Sequence, residues 1–328
     1  MKLLPNSESL VNGILEGNKI LLSRAITLLE STREDHNEIA NEVIEKVLHK
    51  TGSSKRIGIT GVPGVGKSTF IEALGKFLLE QNESIAILAI DPSSQKSKGS
   101  ILGDKTRMES LSGHESVFIR PSPAGEILGG VGRKTRESIL LCEAAGFKNI
   151  FIETVGVGQS ETAVHSMVDC FLLLMLPGAG DELQGIKRGI MEMADLIAIN
   201  KAEGDRALLA NKAARSYRNA LHLFPATESG WLPKVLTCSA EQNINIEEIW
   251  KAVESFFNHQ KVSGFFDKKR KEQAIYWFRE TIQQKLLAYF YKQENFKETI
   301  AALEHKIKQE KIHSYQAANE VLKKFAGK

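Results

Sequence analysis

The residues best suited to chemistry form a glycine-rich loop, Gly61-Val62-Pro63-Gly64-Val65-Gly66-Lys67-Ser68, with Thr69 directly after it. This is the complete G-x-x-x-x-G-K-[ST] pattern. Glycines let backbone N–H groups approach phosphate oxygens, the lysine reaches the β- and γ-phosphates, and the hydroxyl group is a ligand for Mg²⁺. A glycine-rich turn arising by chance would lack its context, because the loop follows a predicted strand, Arg56–Thr60, and precedes a predicted helix, Thr69–Gln81. The pattern therefore predicts a nucleoside triphosphate site in which Lys67 is catalytic.

Acidic residues at the ends of other predicted strands are candidates for holding the metal ion with Ser68. Asp91 follows the strand Ile85–Ile90, and Glu153 ends the strand Ile150–Glu153. Asp104 lies in the polar loop that follows Asp91, a loop long enough to order and disorder with the nucleotide. Gly156 comes three residues after Glu153, a spacing at which a glycine N–H can contact the γ-phosphate while the carboxylate holds the Mg²⁺ shell.

Two further loops predict recognition of guanine rather than adenine. Asn200-Lys201-Ala202-Glu203 follows the predicted strand Leu196–Ile199, and Ser239-Ala240 follows the strand Val235–Thr237. A carboxylate in the first loop accepts hydrogen bonds from guanine N1–H and N2–H₂, the lysine stem stacks on the base, and the Ser-Ala backbone meets O6. In GTPases this motif is normally Asn-Lys-x-Asp. Glu203 stands in the place of that Asp and moves the carboxylate out by about 1.5 Å.

The elements that must position these loops alternate between strands and helices. Most of the strands are uniformly apolar, which is typical of a parallel sheet covered on both faces. The predicted fold is α/β, a doubly wound and mostly parallel sheet of the P-loop type. We assign residues 1–52 to an N-terminal helical extension, 53–260 to the nucleotide-binding domain and 261–328 to a C-terminal helical arm. The remaining predicted strands and helices are Val117–Arg120, Phe171–Leu176, Lys134–Ala145 and Leu208–His222.

The C-terminal arm carries an apolar stripe at helical spacing. Its members are Ile275, Phe278, Ile282, Leu286, Tyr289 and Phe290, continued by Ile300, Leu303 and Ile307. Such a stripe can face the α/β core or a second subunit. Because it lies beyond the sheet, we favour a dimerisation arm.

Composition narrows the function classes. A net charge of +3 is too small to favour a nucleic-acid partner, and no apolar run is long enough for a membrane span. The three cysteines are far apart and lack C-x-x-C spacing, which suits a reducing compartment. We expect a cytoplasmic protein that binds neither nucleic acid nor membrane.

Taken together, these motifs resemble those of the methylmalonyl-CoA mutase-associated GTPases (MeaB/ArgK type). The run Asp181–Asp195 is the most specific, because it belongs to no general GTPase pattern. The resemblance covers about residues 10–265 well and the arm only loosely, and Glu203 departs from it. The matching segments are Gly61–Thr69, Asp91–Ser94, Ser100–Met108, Glu153–Glu161, Pro177–Asp195 and Asn200–Lys201.

The resemblance implies a homodimeric GTPase, using Mg²⁺ with GTP and GDP, that acts as a chaperone for an adenosylcobalamin-dependent acyl-CoA mutase. Its nucleotide state would gate cobalamin loading and protect the mutase through switch segments 91–108, 153–161 and 177–188. Gln184 and Lys187, in the third segment, are candidates for stabilising transition-state charge. No tightly bound transition metal is expected, because no Cys or His pair has ligand spacing.

Three alternatives stay open at the level of sequence. The chain could be a P-loop kinase or transport-associated ATPase, although it shows no separate acceptor motif. It could be a scaffold whose nucleotide only holds the fold. The mutase partner could also handle isobutyryl- or ethylmalonyl-type substrates.

Overall fold

The computed structural model describes residues 6–91, 108–123, 128–154, 160–178 and 188–325. By its internal contacts the chain divides into two units, residues 1–273 and 274–328. Each unit is described separately below.

The first unit begins with three helices, α1 (Ser7–Leu15), α2 (Lys19–Glu30) and α3 (Glu34–Val47). Two separate helices therefore precede α3. Gly17 ends the first in a left-handed conformation (φ 76°), and the Asn18 side chain caps the second by accepting hydrogen bonds from two backbone N–H groups.

A seven-stranded, entirely parallel sheet follows, in the order β3-β2-β4-β1-β5-β6-β7. All seven strands were predicted, to within three residues at each end. The doubly wound α/β prediction is confirmed. The strands are β1 (Lys55–Gly61), β2 (Ile85–Asp91), β3 (Val117–Pro123), β4 (Asn149–Glu153), β5 (Cys170–Met175), β6 (Leu196–Ile199) and β7 (Lys234–Thr237).

Helices connect the strands and cover both faces of the sheet. Alternate residues of β5 show this, because Leu172 and Leu174 pack in one apolar cluster while Leu173 and Met175 pack in another. The connecting helices are α4 (Lys67–Glu80), α5 (Glu109–Ser112), α6 (Leu128–Ala144), α7 (Ser160–His165), α8 (Arg188–Met193) and α9 (Arg206–Leu221), and α10 (Ile246–Val262) follows the last strand.

Helix α6 begins six residues before the predicted start at Lys134. Three glycines in its first turns disfavour a helix by intrinsic propensity, so the sequence pattern missed this part. Lys134 also connects the helix to the N-terminal extension, because its Nζ atom donates to the Glu30 carbonyl oxygen at 2.6 Å.

Buried ion pairs lie at the amino-terminal edge of the sheet. Glu143 accepts two hydrogen bonds from Arg56, at 2.8 and 3.0 Å, and Arg270 donates to both carboxylate oxygens of Asp169, at 2.6 and 2.8 Å. These opposite charges are paired with each other at the edge of the sheet opposite to the carboxyl ends of the strands.

Helix α11 (Phe265–Lys292) contributes residues to both units. The second unit also contains α12 (Glu294–Lys308) and α13 (Ser314–Phe325), which enclose a small apolar cluster of Leu303, Ile312 and Ala317. Within the described residues, no helix is both long and apolar enough to cross a membrane.

Candidate guanine-nucleotide site

The phosphate-binding loop joins the carboxyl end of β1, the central strand, to the start of α4. Gly66 precedes the helix in a left-handed conformation (φ 91°), and no side chain caps the helix start. The first N–H groups of a helix have no intrahelical acceptor, and with the helix dipole they attract anions. The loop predicted for the phosphates, Gly61 to Thr69, therefore has the expected strand–loop–helix setting.

Two glycines of this loop are required by close packing. A Cβ atom at Gly61 would lie 2.4 Å from the Leu174 carbonyl oxygen of the neighbouring strand β5. A Cβ atom at Gly66 would lie 2.9 Å from Nδ2 of Asn200, which belongs to the predicted base-binding loop. The phosphate loop and the base loop thus touch where only glycine fits.

Lys67 lies within the loop. Its Nζ atom donates to the carbonyl oxygens of Gly61 at 2.9 Å and Val62 at 3.4 Å. Burial lowers the pKa of Lys67, and the negative charges of Glu153 and Glu161 oppose that shift. The ammonium group is thus kept in a partly dehydrated position, where its attraction to a phosphate is stronger than in water.

The predicted metal ligands Ser68 and Glu153 are brought together. Ser68 Oγ donates to Glu153 Oε1 at 3.1 Å, because β4, which ends at Glu153, pairs with β1 beside the loop. A hydroxyl and a carboxylate oxygen side by side are the hard oxygen ligands that Mg²⁺ prefers. The residues present therefore fit this ion.

Asp91 ends β2, on the other side of β4, at the same edge of the sheet. Its backbone is described and its side chain is not. Gly156, Asp104, Gln184 and Lys187 lie outside the described residues. Among the described residues, no group of three or more His, Cys, Asp or Glu could hold a metal ion.

Asn200 is the centre of the predicted base-binding region. It is buried, its Nδ2 atom donates to the Val65 carbonyl oxygen at 2.8 Å, and its Oδ1 atom accepts from the Ala240 N–H at 3.0 Å. One side chain therefore connects the phosphate loop to both base loops. Since the Ala240 amide was predicted to meet guanine O6, binding O6 requires that this N–H be shared with Asn200 or released from it.

Lys201 follows in a left-handed conformation (φ 59°). Its Cε atom lies 3.9 Å from where a Cβ atom on Gly66 would be, so the lysine stem runs beside the phosphate loop. Ser239 is buried, and its hydroxyl group accepts from the Gln242 N–H at 3.1 Å, which fixes the turn after β7. The predicted pair of base loops is therefore assembled from β6 and β7.

The Glu203 carboxylate can accept further hydrogen bonds. Its side chain is 15% exposed, its Oε1 atom lies 3.9 Å from the Arg206 guanidinium, and its Oε2 atom is buried with no hydrogen-bond partner among the described residues. Burial raises the pKa of the Cys238 thiol to about 12, and the charge of Glu203 acts in the same direction. The carboxylate is thus close to the second base loop. Asp205, two residues further along the chain, is exposed.

The sequence analysis missed one buried acidic residue. Glu161, in the first turn of α7, is 1% exposed, and neither of its carboxylate oxygens has a hydrogen-bond partner among the described residues. It belongs to the segment Glu153–Glu161, but no local sequence pattern predicts that a single carboxylate is buried. Its proximity to Lys67 could be found only from the tertiary structure.

A parallel sheet with a glycine-rich loop at its central strand, and a predicted base site at Asn200, Lys201 and Glu203, is the arrangement expected of a P-loop GTPase. The particular family follows from comparison with known proteins. Residues 22–295 match the family described as methylmalonyl Co-A mutase-associated GTPase MeaB, and the chain belongs to that family. This confirms the resemblance drawn from the motifs.

Individual relatives agree with this assignment. GTPase ArgK of Escherichia coli (strain K12) is 43% identical over 286 residues, which are 87% of this chain and 86% of that protein. The mitochondrial methylmalonic aciduria type A homolog of Mus musculus is 43% identical over 328 residues, covering 97% of this chain and 79% of the mouse protein. A crystal structure described as an LAO/AO transport system kinase matches with a TM-score of 0.77 at 34% identity, covering 98% of each chain.

Proposed function

We propose that this GTPase is a nucleotide-dependent chaperone for an adenosylcobalamin-dependent acyl-CoA mutase of the methylmalonyl-CoA mutase type. The observation that carries the proposal is the family match over residues 22–295, which spans the phosphate loop, the base loops and all three predicted switch segments. The name of the mouse relative, which refers to methylmalonic aciduria, supports the same link. In this role GTP hydrolysis times the loading of the cobalamin cofactor and the protection of the mutase.

In the proposed complex the phosphates lie against the backbone of residues 61–69, and Lys67 neutralises the β- and γ-phosphates. Mg²⁺ is held by Ser68 with Glu153, Asp91 and Asp104. Glu203 accepts hydrogen bonds from guanine, and Lys201 stacks on the base. The support for this assignment is the Ser68–Glu153 contact, together with the Oε2 atom of Glu203, which has no hydrogen-bond partner in the part of the chain that the structure describes.

The proposed switch segments are 91–108, 153–161 and 177–188. They follow β2, β4 and β5, which lie next to one another around β1 in the sheet. Because the carboxyl ends of parallel strands share one edge, all three segments start close to the phosphate loop. We place Gly156 at the γ-phosphate and assign Gln184 and Lys187 to transition-state charge once the mutase orders the third segment.

A homodimer built through the C-terminal arm is part of the proposal. Five apolar side chains at helical spacing on α11 are each at least 42% exposed, namely Ile275, Phe278, Ile282, Leu286 and Tyr289. A continuous apolar stripe on one helix is typical of a surface that a partner covers. Phe278→Glu is expected to convert the dimer to a monomer in analytical ultracentrifugation, whereas Gln283→Glu, an exposed polar position on the same helix, should leave it intact.

We also propose a cytoplasmic location, which the three unpaired and buried cysteines support.

The function is tested by capture of a purified adenosylcobalamin-dependent mutase on the immobilised GTPase. We expect the amount captured to differ between a non-hydrolysable GTP analogue and GDP, and the difference to disappear for Lys67→Ala. The mutase should also accelerate GTP hydrolysis. Equal capture in all nucleotide states, with no change in hydrolysis or in cobalamin loading, would contradict the proposal. Transfer of the γ-phosphate to an acceptor other than water would favour the kinase alternative.

A further inference from the structure

The buried carboxylate of Glu161 has no assigned role in the site described above. It lies in the first turn of α7, and this helix is fixed against the central strand. A Cβ atom at Gly58 of β1 would lie 2.9 Å from Val164 Cγ1, so the helix packs as closely as glycine permits. The helix that carries Glu161 is therefore fixed against the sheet, and the residue is 1% exposed.

Burying a carboxylate without a hydrogen-bond donor is costly. The penalty for an uncompensated buried charge is several kcal/mol, so buried carboxylates are nearly always paired. Glu143 shows the ordinary case in this chain. It is 2% exposed, and it accepts hydrogen bonds from Arg56 and from the Gly52 N–H at 3.1 Å. Glu161 is as deeply buried, yet both of its oxygens lack a partner among the described residues.

Glu161 lies eight residues after Glu153, which ends β4 beside the phosphate loop, and it is in the first turn of the next helix. Its charge acts on Lys67, together with that of Glu153, which holds the Ser68 hydroxyl group. Lys67 nevertheless donates hydrogen bonds to the carbonyl oxygens of Gly61 and Val62. The lysine therefore offsets part of the charge of Glu161 without satisfying its oxygens.

The missing donors can be identified by elimination, provided that the proposed GTP site is correct. Guanine is recognised at the loops after β6 and β7, away from α7. The phosphate oxygens are anionic acceptors and repel a carboxylate. The ribose hydroxyl groups lie beside the base, so the donors that a nucleotide complex brings to the phosphate end are water molecules. Mg²⁺ retains several of them when it binds nucleotide phosphates.

We propose that Glu161 is an outer-sphere partner of the magnesium site, where its carboxylate accepts hydrogen bonds from water bound to the ion beside Ser68 and Glu153. Residues that orient the ligands of a metal in this way typically contribute a factor of about 10–100 to metal affinity. The cost of burying Glu161 is then compensated only when the ion and its water are present. This role concerns positioning, and Glu161 need not touch the nucleotide.

The test is a Mg²⁺ titration of fluorescent GDP and of a fluorescent non-hydrolysable GTP analogue, measured by equilibrium binding rather than by hydrolysis. For Glu161→Gln we expect the Mg²⁺ concentration at half-maximal tight binding to rise about 10- to 100-fold. Glu143→Gln is the matched control, because it also removes a buried carboxylate. That variant should lose stability in thermal unfolding while its Mg²⁺ midpoint stays unchanged.

A Mg²⁺ midpoint for Glu161→Gln within twofold of the wild-type value would overturn the inference. If this variant does not fold, the same titration is made with Glu161→Asp. This change keeps the charge and withdraws the carboxylate by about 1.5 Å. An increase in its midpoint supports the inference, and an unchanged midpoint overturns it. Failure of the proposed GTP site itself looks different, since wild-type protein would then bind guanine nucleotides no more tightly with Mg²⁺ than without it.

Discussion

The base specificity of this GTPase can be tested at Glu203, where the sequence departs from the usual Asp. The informative change is Glu203→Gln, which keeps the length of the side chain and replaces one acceptor oxygen with an NH₂ donor. In the proposed complex this donor would face the N–H donors of guanine, so the variant should lose GDP affinity. Glu203→Gln should not affect folding, because the Oε2 atom has no hydrogen-bond partner among the described residues.

The expected size of the effect follows from the surroundings of the carboxylate. Its side chain is 15% exposed, and the nearest cation, Arg206, is 3.9 Å away and 61% exposed. The neighbouring charge therefore competes weakly for the oxygen that guanine would use. A hydrogen bond to a charged group contributes about 1.5–3 kcal/mol. Loss of one such bond raises the Kd for GDP about 10- to 150-fold.

Competition of GDP and XDP against a fluorescent guanine nucleotide provides the assay. Xanthine carries a carbonyl oxygen where guanine carries its amino group, so the Gln side chain can donate to it. We expect the variant to gain affinity for XDP as it loses affinity for GDP. Asp205→Asn is the control, because Asp205 is exposed two residues away. A GDP Kd for Glu203→Gln within twofold of the wild-type value would refute the assignment of Glu203 to guanine.

Three further predictions concern the phosphate loop and its support. Gly66→Ala places a Cβ atom 2.9 Å from Asn200 Nδ2 at a φ of 91°, so it should cost about 1–3 kcal/mol in urea unfolding and weaken GDP binding. Lys67→Ala should raise the Kd for GTP about 10- to 150-fold through loss of a charged hydrogen bond. Burial disfavours the charged form of Lys67 and so lowers its pKa. Removing this ammonium group should therefore not lower the melting temperature of the protein without nucleotide. Burial also lowers the pKa of His165 to about 4, below its ordinary value near 6.5. Between these two pH values the unfolded chain binds more protons than the folded chain. The free energy of unfolding therefore decreases as the pH falls. His165→Gln should therefore remove roughly 2 kcal/mol of the stability lost between pH 7 and pH 5 in denaturant titrations; equal losses in both proteins would contradict this.

The sequence was sufficient for the parts of the fold that repeat locally. Every strand was predicted because the strands of a parallel sheet are short, apolar and separated by helical or turn segments. The phosphate loop could be predicted residue by residue, because phosphate and Mg²⁺ binding require glycines, a lysine and a hydroxyl group at this spacing. Family membership followed from the same motifs and was confirmed by comparison.

Local signals were weaker where elements adjoin. Between α1 and α2 such signals are present, because Gly17 and Asn18 are ordinary stop and start residues of helices. Helix α6 starts at Leu128 in spite of three glycines, because packing in a tertiary structure overrides intrinsic propensity.

Only the tertiary structure decided which distant side chains meet. Asn200 donates to the Val65 carbonyl oxygen across 135 positions of sequence, and Ser68 meets Glu153 across 85. Glu161 became a site residue only through its burial and its position near Lys67. The physical reason is that the period and spacing of residues specify an element and its exposed face. Contacts between elements depend on the order and register in which the sheet assembles them, and no single stretch of sequence contains that information.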